Sequence, residues 1–238
     1  MASASPPSRL NDFETRAHLP ARGTTMPGGW DSIPRMTKEP LSHPGTKGRP
    51  SARTTMADAL VLKSKICLVG EKGVGKTSLI RRYVTDQFDD HYVRTLGAKV
   101  EKKAMRVEVP ERRAKVDMTM AIWDIIGHVG FRALLGDAFF QGTQGAILVA
   151  DLTRRDTLAA LPAWVEAVQG VAGKVPLVLA ANKADLTEDA QCGPTEVASM
   201  ASVFECNYIL TSAKTGENVE DAFLGLGKLI AKARLEGH

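Results

Sequence analysis

The sequence predicts an α/β domain built on a six-stranded, mostly parallel sheet with helices on both faces. Two observations carry this. From about Ser64 onward, short apolar runs alternate with longer amphipathic stretches, the pattern of repeated strand-helix-strand units. A glycine-rich turn, Gly70 to Gly75, stands between the first apolar run and the first amphipathic stretch, at a strand-to-helix junction. The 238 residues, 44% of them hydrophobic, supply enough apolar mass for a substantial core.

Strands are expected at Ser64–Val69, Ala98–Val109, Lys115–Trp123, Gly145–Asp151, Val175–Ala181 and Tyr208–Thr211. The second and third read as an antiparallel hairpin turning around Pro110–Arg113. Helices are expected at Lys76–Thr85, Phe131–Gln141, Thr157–Val171, Pro194–Val203 and Asn218–Ala233, which completes one doubly wound domain over residues 61–236.

Residues 1–60 read differently. Residues 1–55 contain eight of the twelve prolines among many Ser, Thr, Arg and Gly, with no sustained period, and are expected to be a disordered extension. It reads either as a regulatory or targeting arm, or as an untethered tail ahead of a start at Met56. This segment holds eight Lys/Arg against four Asp/Glu, the whole formal charge of +4, so the domain itself is electroneutral. A nucleic-acid-binding core loses its main support. The three cysteines follow no metal-ligand or disulfide spacing, which points to a reducing compartment. No stretch approaches the roughly 20 apolar residues of a membrane span. Ala2 and the terminal ARLEGH offer no myristoylation or prenylation signal, so a cytoplasmic monomer without lipid anchor is expected, reaching membranes only indirectly.

The segment GEKGVGKT, Gly70 to Thr77, matches the phosphate-binding loop G-x-x-x-x-G-K-[ST] in its proper strand-to-helix setting. Its glycines let backbone N–H groups turn toward a phosphate, and the following helix presents its positive end. Gly70, Gly73, Val74, Gly75, Lys76, Thr77 and Ser78 are the expected phosphate contacts, with Lys76 on the outer phosphates and the Thr77 hydroxyl on Mg²⁺. Base choice needs a second signal. NKAD, Asn182 to Asp185, follows an apolar strand about 110 residues later, at the strand end where such sheets bind ligands. The Asp185 carboxylate can accept from the guanine N1–H and 2-amino groups, a pair adenine does not offer.

On these motifs the chain resembles the Ras-like small GTPases, and within them the Rab and Ran branches, from about residue 62 to 234. The resemblance implies GTP and GDP as ligands with Mg²⁺. It also implies that Thr95, 19 residues after Lys76, ligates the metal and senses the γ-phosphate, and that Phe88 lies against the guanine edge, unless it is a core residue. TSAK, Thr211 to Lys214, resembles the last base loop: Ala213 N–H to the guanine O6, Lys214 over the base, Ser212 beside them. Lys183 is implied as a further base-side contact. In WDIIGH, Asp124 would hold a Mg²⁺-bound water and the Gly127 N–H would meet the γ-phosphate.

Two departures bear on turnover. His128 replaces the glutamine that orients the attacking water in relatives, so hydrolysis is expected to be slow, and the histidine is either catalytic or a solvent-facing spectator. Lys72 occupies a loop position that is normally small; it either points to solvent or places its ammonium near the phosphates. Ile125 and Ile126 add apolar bulk, for a partner surface or for altered packing. The expected function is a GTP-operated switch, catalysed through Lys76, Thr95, Gly127 and His128 and read by an exchange factor, an activating protein and an effector. The alternative is a nucleotide-dependent scaffold with little or no turnover.

Overall fold

The central strands are apolar along their whole length, and this dictates the layering. β4 (Gly145–Asp151, GAILVAD) and β5 (Leu177–Asn182, LVLAAN) are buried at every position, as parallel strands covered on both faces must be. A computed structural model of the chain describes residues 60–89, 98–125 and 138–237, all within one compact unit, Thr54–His238. Together with β1 (Leu60–Val69), β2 (Ala98–Val109), β3 (Ala114–Ile125) and β6 (Asn207–Thr211), these strands form one six-stranded sheet in the order β2-β3-β1-β4-β5-β6. Every pairing is parallel except β2 with β3.

Side chains alternate across the sheet and so feed two cores. Ile66 and Leu68 of β1 and Ile147 and Val149 of β4 face one cluster. It is closed by Leu79, Ile80 and Tyr83 of α1 (Lys76–Thr85) and by Val219, Phe223, Leu226 and Ile230 of α5 (Val219–Glu236). Cys67, Val69, Ala146 and Leu148 face the other. There Leu158 of α2 (Arg155–Ala159), Trp164 and Val168 of α3 (Leu161–Ala172) and Val197 of α4 (Pro194–Val203) pack. Tyr83 and Phe223 stack with ring centroids 4.0 Å apart, joining α1 to α5.

The predicted six-stranded α/β domain is therefore the observed one, with differences at element ends. β1 starts four residues before the predicted Ser64, because Leu60 to Lys63 keep pairing with Val116 to Thr119 of β3. β3 runs on to Ile125, β5 is shifted to Leu177–Asn182, β6 starts at Asn207 and α5 reaches Glu236. The helix expected over Thr157–Val171 is two helices with Ala160 between them; Pro162 lies in the first turn of the second and cannot donate into a preceding turn. The hairpin turns at Pro110–Arg112, a single 3₁₀ turn closed by Arg113 in the left-handed region (φ 49°). Of the helix expected at Phe131–Gln141, residues 138–140 are helical and residues 131–137 lie outside the described residues, as does the extension through residue 59.

Candidate nucleotide site

The phosphate loop leaves β1 at Gly70, in a conformation open to glycine (φ 140°): a Cβ there would run into the carbonyl oxygen of Val149 on the adjacent β4. At Gly75, the N-cap of α1 (φ 99°), a Cβ would collide with the side-chain amide of Asn182. The loop is thus pressed against β4 and the end of β5, and no larger side chain fits at either point. Inside it, Lys76 is buried and donates to the carbonyls of Gly70 at 2.7 Å and Glu71 at 2.9 Å. Burial lowers its pKa to about 8, against the opposing fields of Asp124 and Glu71. A buried ammonium curled inside its own loop is a cation held ready for an anion. Glu71 in turn accepts from the indole N–H of Trp164 at 3.1 Å, so Trp164, buried in the core, braces the loop from the α3 side.

Next to Lys76 on α1, the Thr77 hydroxyl donates to Asp124 Oδ2 at 2.5 Å, near the end of β1's neighbour β3. A hydroxyl and a buried carboxylate beside a phosphate loop are hard oxygen donors of the kind Mg²⁺ takes, with phosphates completing its shell. These residues fit the ion.

The strand end after β5 supplies the base side. Asn182 is buried and shares its carboxamide among three partners: Nδ2 donates to the Val74 carbonyl at 2.8 Å, while Oδ1 accepts from Thr211 Oγ1 at 3.3 Å and from the Ala213 N–H at 3.2 Å. One side chain therefore holds the phosphate loop and the TSAK loop in register. Ser212, fully buried, donates to Asp185 Oδ1 at 2.6 Å and accepts from the Thr215 N–H at 3.1 Å, which aims the carboxylate. Arg82 of α1 donates to the carbonyls of Ala213 at 3.0 Å and Lys214 at 2.7 Å, fastening the TSAK loop from below. Lys183 adopts φ 67° and its ammonium reaches Asp151 Oδ2 at 2.6 Å.

The structure thus brings together Gly70, Gly73, Val74, Gly75, Lys76 and Thr77 with Asn182, Lys183, Asp185, Ser212, Ala213 and Lys214, and sets Asp124 beside Thr77. Ser78 follows on α1, half-buried. Phe88 is half-buried against the core cluster that also holds Ala213 and Val219. Thr95, Ile126, Gly127 and His128 lie outside the described residues. The Lys72 side chain is exposed, and Ile125 is buried beside Phe140, so at that position the added bulk serves packing. The sequence reading missed Asp151 and Arg154. Asp151 is fully buried under the site, and Arg154 donates to it at 3.0 Å and to the Lys72 carbonyl at 2.9 Å. Only a charged residue closing a wholly apolar strand hinted at them.

The family model of the Ras family matches residues 65–232, the span that carries every site residue above. The chain belongs to the Ras family. Among curated relatives it is 35% identical to the Ras-related protein Rab-18-B of Danio rerio, over 71% of this chain and 79% of that protein. It is 34% identical to Rab-21 of Geodia cydonium, over 72% of each chain. It is 31% identical to Rab-8B of Dictyostelium discoideum, over 72% of this chain and 82% of that one. As a Rab-like Ras-family member it is a GTP-binding small GTPase. Among the described residues no helix is long and apolar enough to cross a membrane.

Proposed function

We propose that residues 60–236 bind GTP or GDP with Mg²⁺ as a slow molecular switch, with residues 1–59 an extension outside the catalytic unit. The observation that carries this reading is Asn182, which joins the phosphate loop at Val74 to the base loop at Ala213. A polyphosphate and a purine bound by the two loops would be held at one fixed separation.

In this reading Lys76 leaves the Gly70 and Glu71 carbonyls for the outer phosphates, and the loop N–H groups of Gly73, Val74 and Gly75 cradle them. Asp185, aimed by Ser212, accepts from the guanine N1–H and 2-amino groups; the Ala213 N–H, Lys214 and Lys183 complete the base side, with Phe88 at its edge. Thr77 and Thr95 would ligate Mg²⁺, and Asp124 would hold one of its waters. The ion supplies charge neutralisation at the β- and γ-phosphates. Thr95 and the Gly127 N–H would order around the γ-phosphate and relax once it is lost, which is the signal that an effector reads. His128, in the place of the usual glutamine, makes unassisted hydrolysis slow and an activating protein necessary. An exchange factor would act on the same loops, and the chain would work as a cytoplasmic monomer.

The test is to identify the nucleotide that co-purifies with the full chain and then to follow single-turnover GTP hydrolysis. Bound GDP or GTP and a slow, Mg²⁺-dependent phosphate release support the switch. Bound GTP that persists unhydrolysed supports the scaffold reading, and an adenine nucleotide overturns both.

A further inference from the structure

Asp151 closes β4 as a fully buried carboxylate, yet it is ringed by donors. Oδ2 accepts from the Lys183 ammonium at 2.6 Å and from Arg154 Nε at 3.0 Å, and Oδ1 from the Thr153 N–H at 3.0 Å and the Thr153 hydroxyl at 2.7 Å. Burial alone would raise its carboxyl; the donors from Lys183, Thr153 and Arg154 outweigh that and hold it below the ordinary value, ionised. Its charge fixes the near edge of the Arg154 guanidinium. The backbone of Arg154 is held as well: its N–H donates to the Asp151 carbonyl at 2.9 Å and its carbonyl accepts from Thr157 Oγ1 at 2.7 Å, where α2 begins.

With one edge on Asp151, the guanidinium has one direction left, and there Nη2 donates to the Lys72 carbonyl at 2.9 Å. The same nitrogen lies 3.7 Å from where a Cβ on Gly73 would stand. The Lys72 carbonyl and the Gly73 N–H share one planar trans peptide and point in opposite directions. Pinning that oxygen against Arg154 therefore aims the Gly73 N–H away from Arg154, into the loop. We propose that Arg154 is a positioning residue for the phosphate loop, clamping the Lys72–Gly73 peptide from the buried Asp151 that Lys183 of the base loop also grips. The inference rests on the nucleotide reading above and adds a second tie between the two loops, independent of Asn182.

The fork geometry matters: a guanidinium spans carboxylate and carbonyl at once, whereas an ammonium is a point charge. Full-length Arg154→Gln and Arg154→Lys, loaded with a fluorescent GDP, are compared with the unsubstituted chain for nucleotide release and for GDP, GMP and IDP competition. Arg154→Gln should release GDP about ten-fold faster, the loss of a charge-assisted bond. The clamp acts on the loop that meets the outer phosphates, so GDP affinity should fall while GMP affinity and the GDP-to-IDP ratio, which reports the base contact, stay within two-fold. A merely structural role would weaken GDP and GMP binding together, and that pattern overturns the proposal. Arg154→Lys should also release faster, and release at the unsubstituted rate would show that charge alone suffices, overturning the clamp. If the glutamine variant does not fold, the lysine variant decides. Failure of the unsubstituted chain to bind GDP at all would instead remove the nucleotide reading beneath the proposal.

Discussion

The side-chain amide of Asn182 donates to the carbonyl of Val74 at 2.8 Å, across 108 residues of sequence. Both atoms are buried, and the other end of the same carboxamide accepts from Thr211 and Ala213. Replacing Asn182 by Ala strands a carbonyl, a hydroxyl and a backbone N–H together. A loss of about 2–4 kcal/mol of stability is expected, seen as a lowered denaturation midpoint, together with nucleotide affinity at least ten-fold weaker. Asn182→Asp should be comparably damaging, since it keeps the acceptor yet turns an anion on the Val74 carbonyl. A variant as stable as the parent would mean that the two loops are not joined here.

Lys76 titrates at about 8 in the fold and near its ordinary 10.5 in the unfolded chain, the shift being due chiefly to burial. Between those values the unfolded state binds more protons, so the nucleotide-free chain should gain stability from this group as pH rises through that window. Below it the buried charge is fully present and destabilising. The check is denaturant unfolding of the nucleotide-free chain and of Lys76→Met at about pH 7 and about pH 10. The difference between them should shift with pH, and a flat difference contradicts the burial of a charged Lys76.

A methyl group at position 70 has no space, because the Val149 carbonyl oxygen already occupies it and a backbone atom in mid-sheet cannot step aside. Gly70 also sits at φ 140°, where other residues are strained. Gly70→Ala should therefore cost about 3 kcal/mol or more, read by thermal unfolding. A loss under about 1 kcal/mol would place the loop further from β4 than it stands.

Ser212 aims Asp185 with a bond of 2.6 Å. Ser212→Ala removes that bond, worth about 1 kcal/mol to the aimed carboxylate, and also strands the Thr215 N–H, so GDP should bind roughly five-fold more weakly or worse, with part of the guanine-over-inosine preference lost. Competition of GDP against IDP measures both. Unchanged discrimination would mean that the carboxylate needs no help from this hydroxyl.

β4 and β5 are legible in the sequence because a strand buried on both faces has no polar position to confuse the pattern. The phosphate loop is legible because a backbone that must curl around an anion tolerates glycine at fixed places, Gly70 and Gly75 among them. β1 hides its first residues because Leu60, Val61 and Lys63 are exposed and resemble a linker; long-range pairing with β3, and no local preference, makes them strand. The break at Ala160 is hidden too, since Pro162 sits comfortably in a first turn and the apolar period continues across it. Arg154 is the deepest omission. In DLTRR it looks like any loop arginine, and its partner Lys72 is 82 residues away, so only folding shows that it touches the phosphate loop.

The central claim is that Asp185 chooses the purine whose phosphates lie in the loop closed by Lys76. The most direct measurement is a competition of GDP against ADP on the full chain and on Asp185→Ala. The parent should prefer GDP by several orders of magnitude, and the variant should lose most of that preference through weaker GDP binding. Should Asp185→Ala keep the parent's preference, base selection resides elsewhere and the account fails.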